Sequence, residues 1–63
     1  MPKTNVKVKL VGTNGNAFAI LGKVSKALKL AGHADLAEEF MSEAMKGDYD
    51  HLLATAVDYV EVS

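Results

Sequence analysis

The chain has no cysteine and no arginine among its 63 residues. Without cysteine there is neither a disulfide staple nor a thiolate zinc site. Without arginine there is no guanidinium fork for bidentate contact with phosphate, carboxylate or guanine. No apolar run approaches the roughly 20 residues that a membrane helix needs, and nothing reads as a signal peptide. The expectation is a soluble, cytoplasmic protein with no membrane association. Histidine is scarce, at two residues. His33 and His51 have no serine at a periodicity that would bring a nucleophile within hydrogen-bond reach, so no catalytic residue is assigned and the chain reads as a non-enzyme.

About half of the residues are hydrophobic (49%), which suits a folded domain better than a disordered tail. A single domain this small buries only about 60% of its unfolded surface, so close helix packing or self-association must supply the remaining support. The net charge of −1 hides a strong asymmetry. Residues 1–30 carry six lysines and no acid, whereas residues 31–63 carry eight acids and one base, Lys46, so the halves hold +6 and −7.

Asn16 to Gly32 is the stretch around which the rest is organised. At about 100° per residue, Ala17, Ile20, Leu21, Val24, Ala27, Leu28 and Ala31 share one broad face. Lys23, Lys26 and Lys29 lie opposite, with Ser25 beside them, and Leu30 breaks the pattern. Asn16 reads as the N-cap and Gly32 as the glycine past the helix end.

Before this helix, residues 4–11 alternate as a half-buried strand with Val6, Val8 and Leu10 inward and Lys7 and Lys9 outward. Gly12 to Asn16 is a turn cluster. A second helix is expected to start on Asp35 as its cap, with Glu38 completing a capping box. Leu36, Ala37, Phe40, Met41 and Ala44 form its apolar face, and Gly47 ends it. Asp48 caps a third helix whose core stripe is Tyr49, Leu52, Leu53, Ala56 and Val57. From Tyr59 the alternation of Tyr-Val-Glu-Val reads as a short strand, with Val60 and Val62 inward and Glu61 outward. The expected architecture is α+β: a single domain of order β-α-α-α-β, three helices packed on a two-stranded sheet. Link reversals favour parallel terminal strands, but one crossing angle would change that, so both pairings stay open.

The segments GNAFAILGKVSKALKLAG and EEFMSEAMKGDYDHLLATAVDYVEV resemble a group of short, largely uncharacterised bacterial, phage and prophage proteins. These look similar in a lysine-bearing strand, a GNAF-type helix start, a GDYDHLL turn and a YVEV end, over about Val6 to Val62. The resemblance implies a mobile-element setting and brings no catalytic residue with it.

Several residue groups are candidates for function. Gly12, Asn14, Gly15 and Asn16 stand at a helix N-terminus, where free N–H groups can hold a phosphate or carboxylate. The simpler reading is a strand-to-helix turn, since neither phosphate-binding glycine pattern is present. Asp48, Asp50 and His51 lack the rest of a calcium loop or a second ligand group, so no metal and no cofactor is expected. Lys7, Lys9, Lys23, Lys26 and Lys29 form the basic surface, and nucleic acid is an alternative partner for it, although no aromatics interleave for stacking. Met45, at the margin of its helix stripe, suits an adaptable interface. A homodimer through the strand edges or this methionine margin would relieve the small core. The expected function is a protein-interaction module with a bipolar charged surface, acting on a host protein in the mobile-element setting.

Overall fold

The computed structural model describes residues 2–10 and 16–62. Its elements run β1 (Lys7–Val8), α1 (Ala17–Leu30), α2 (Ala34–Ala44), α3 (Tyr49–Tyr59) and β2 (Glu61–Val62). The three helices pack on a two-stranded sheet, so the α+β reading and the element order stand. The strands are parallel, with Lys7 opposite Glu61 and Val8 opposite Val62.

Local chemistry places the helix ends. The Asn16 side chain accepts from Ala19 N at 3.0 Å, capping α1. At its other end Gly32, with φ +87°, lets the chain reverse, and His33 N donates to Leu28 O while Gly32 N donates to Lys29 O. This is a Schellman closure, and it also sets where α2 begins. The second helix is capped at His33 and not at Asp35, which lies in its first turn. Asp48 caps α3 through His51 N at 3.0 Å, as its position predicts.

The core is centred on Phe40, Ile20, Leu28, Val24 and Val60, each essentially inaccessible to solvent. Phe40 and Tyr59 meet edge to face, with ring centres 5.6 Å apart. The alternation of burial holds, with Val8 and Leu10 buried, Val6 partly so, and Lys7 and Lys9 exposed, but the strand itself covers only Lys7–Val8 of the expected 4–11. Three inward expectations fail: Val57 and Val62 are exposed, and Ala31 caps α1 in solvent. Tyr59, expected to open the terminal strand, is instead the buried last residue of α3. Ser25, expected beside the lysines, is buried. At 100° per residue it lies only about 60° from Leu28, on the edge of the buried face.

The last carbonyls of α3 are satisfied from far away in sequence. Lys3 N donates to Asp58 O at 2.9 Å, and the buried Thr4 hydroxyl donates to Tyr59 O at 2.7 Å. Such orphan carbonyls need partners, and here the segment before β1 supplies them. Val6 O then accepts from Glu61 N, starting the ribbon.

Candidate functional site: two flanks of α2

Both flanks of α2 carry a groove, and the two differ in kind. On the α3 side, an open groove of about 590 Å³ is lined by Lys3, Glu39, Glu43, His51 and the end of α3. Glu39 Oε2 accepts from Lys3 Nζ at 2.8 Å and from the Tyr59 hydroxyl. The same ammonium sits 4.7 Å from the centre of the Tyr59 ring, a cation–π contact. The hydrogen bond from Lys3, and then that from Tyr59, hold the Glu39 carboxyl below its ordinary range. Burial, followed by the Glu39 hydrogen bond, pushes the Tyr59 phenol up.

His51 closes the other end of this flank. Its Nε2 lies 2.9 Å from Glu43 O, one of the final carbonyls of α2, which it satisfies in the tautomer carrying the Nε2 proton. The imidazole rests over Gly47, where an added Cβ would lie 2.7 Å from His51 Cβ and Cγ. Gly47 is therefore a glycine for space and not for a positive φ. These contacts explain the Gly-Asp-Tyr-Asp-His run as helix-turn chemistry. Among the described residues, no group of three or more His, Cys, Asp or Glu side chains could hold a metal ion.

On the α1 side, a smaller groove of about 290 Å³ is mainly apolar. Phe18 and Leu21 of α1 line it with Ala44, Met45 and Tyr49. Phe18 is 82% exposed and Met45 60% exposed, so two large apolar side chains stand in water at its rim. Sequence reasoning found Met45 and missed Phe18. The signal was available, since Phe18 lies about 100° from Ala17 on the wheel, off the core face.

The basic surface divides along the helix wheel. Lys23 and Lys26 lie on the back of α1, with the 78% exposed Leu30 between their rows. Lys29 lies on the Phe18 flank instead, Lys7 stands exposed on β1, and Lys9 is exposed just beyond it. Met45 is not brought together with the lysines of the α1 back. All five lysines are exposed, and none makes an ion pair among the described residues. The two that do, Lys3 with Glu39 and Lys46 with Glu43, lie outside this set. Glu61 is the register partner of Lys7, yet the two form no ion pair.

Of the anion-binding candidates, Gly12, Asn14 and Gly15 lie outside the described residues. Asn16 directs its side-chain oxygen at Ala19 N, one of the N–H groups that an anion there would need. Among the described residues, no helix is long and apolar enough to cross a membrane. Compared with known proteins, the chain matches no family model, no curated protein and no solved structure.

Proposed function

We propose that this protein is a small non-enzymatic interaction module that docks an acidic protein surface on Lys7, Lys9, Lys23 and Lys26, with Leu30 as an apolar anchor. One observation supports the reading above the rest: these lysines are exposed and make no ion pair among the described residues, in a chain that holds eight acidic side chains. An unneutralised cationic face speeds encounter with an anionic partner and sets its register more than it sets affinity. In the mobile-element setting implied by the resemblance, the partner is a host protein, and the module modulates it by occupancy. The test is affinity capture from a bacterial host lysate with the wild-type chain and a Lys23→Glu/Lys26→Glu variant. The expected outcome is a specific acidic protein, retained by wild type at moderate salt and lost with the variant. Equal capture by both chains, or none by either, would end this reading.

Nucleic acid remains the alternative ligand for the same lysines. It predicts a gel shift whose affinity falls steeply with salt, at a slope of about −0.9 per phosphate contact on duplex DNA. A shift insensitive to salt would remove it.

A further inference from the structure

The seam between α1 and α2 carries a second feature that the monomer does not account for. Gly22 lies in the interior of α1, where glycine costs about 1 kcal/mol relative to alanine. Its φ is not positive, and an added Cβ would meet nothing within 4 Å. Neither backbone conformation nor internal packing requires glycine here. Close approach by something outside the chain would use a glycine here.

Gly22 shares its flank of α1 with Phe18 and Lys29, at helical spacings of four and seven. The facing flank of α2 carries Met45, Met41 and Glu38, with Asp35 beyond. The helices are antiparallel, joined by the tight turn at Gly32, so Phe18 lies level with Met45 at one end of the seam. Lys29 lies level with the start of α2 at the other. Phe18 to Lys29 spans about 16 Å, and so does Met45 back to Ala34. The seam is thus apolar at one end and charged at the other, with lysine on one helix and carboxylates on its neighbour.

We propose that a second copy of this chain packs on this seam, its two-fold axis running parallel to the two helices. Rotation about that axis places each α1 over the other copy's α2 at the same height. Phe18 then meets Met45, Lys29 meets Asp35 and Glu38, and both contacts occur twice, as an isologous interface requires. An axis across the helices fails on both counts, since it sets Phe18 over Lys29 and α1 on α1. Gly22, midway along, lets the two layers approach. This association is independent of the acidic partner, which uses the back of α1 and the exposed lysines at β1.

Sedimentation equilibrium on the full chain tests it, from about 5 μM to about 1 mM, because a face two helices wide and about 16 Å long supports micromolar affinity at best. The mass should rise from 6.7 kDa toward twice that value. Phe18→Asp and Gly22→Gln should each weaken association at least tenfold while leaving helical circular dichroism intact, since both positions are exposed. Lys29→Glu and Asp35→Lys/Glu38→Lys should each weaken it alone, and an equimolar mixture of the two should restore it as a heterodimer. A wild-type chain that stays at 6.7 kDa throughout overturns the proposal. So does a dimer that survives Phe18→Asp and Gly22→Gln, or a mixture no tighter than its parts. A monomeric chain that still captures its acidic protein would sink the dimer alone, and a dimer that captures nothing would sink only the docking reading.

Discussion

The two flanks of α2 are opposites in how completely the chain satisfies itself. On the α3 side, Glu39 is held by Lys3 and Tyr59, the Glu43 carbonyl is met by His51, and the last carbonyls of α3 are met by Lys3 and Thr4. On the α1 side, Phe18 and Met45 stand in water beside a glycine with open space above it. A helix whose polar groups are answered on one flank has been closed by its own chain. A helix with large apolar groups exposed on the other has a surface left for something else. The fold therefore separates a flank closed by its own side chains from one left open to solvent.

The comparison breaks most readily at Thr4. Thr4→Val removes a buried hydroxyl that donates to Tyr59 O and accepts from Val6 N, leaving both backbone groups without that partner. The expected loss is about 1–3 kcal/mol in urea unfolding. A variant as stable as wild type would mean that the lacing of the first segment onto α3 contributes nothing.

A smaller effect is expected from pH. The Glu39 carboxyl is depressed from its ordinary 4.5, so its contribution is present above that value and fades as pH falls through the folded one. The Tyr59 phenol and the Lys3 ammonium are raised, so their contributions hold below their ordinary 10.0 and 10.5 and fade as pH rises through the folded values. The gap in urea midpoint between wild type and Glu39→Gln should be open at neutral pH and close in acid. A constant gap from about pH 3 to about pH 7 would show that the carboxylate is not the active partner.

The smallest effect belongs to the open flank. Met45→Gln, measured in solutions dilute enough to keep the chain monomeric, should change unfolding free energy by no more than about 0.5 kcal/mol. A larger loss would mean that this flank belongs to the core after all.

Much of the architecture was legible because it is locally encoded. Alternation around Val8 gave the strand, Asn16 and Asp48 gave two helix starts, and Gly32 gave the reversal. What escaped was decided by distant neighbours. Tyr59 sits in a β-favouring run, yet Glu39, twenty residues away, and the first segment of the chain hold it as the end of a helix. Val57 obeys the core spacing, but α3 packs through Leu52, Thr55, Ala56 and Tyr59, which turns Val57 outward. Asp35 fits a capping box, but the closure of α1 carries straight into α2 and fixes the cap at His33. The basic surface was legible as composition. Its division was also there in the helix wheel, which sets Lys29 about 20° from Phe18 and well away from Lys23, but grouping Lys23, Lys26 and Lys29 as one stripe hid it.

The ribbon of β1 and β2 joins residues 54 positions apart in sequence, Lys7 and Glu61. A ring that long is closed at an entropic cost that grows only with the logarithm of its length, but it gathers almost no reward until the helices between have taken their places. Such a clasp fastens late in folding and loosens early. In deuterated solvent, the amide of Glu61 should accordingly trade its proton well before that of Val24, and the order of exchange would trace the route by which this small chain comes apart.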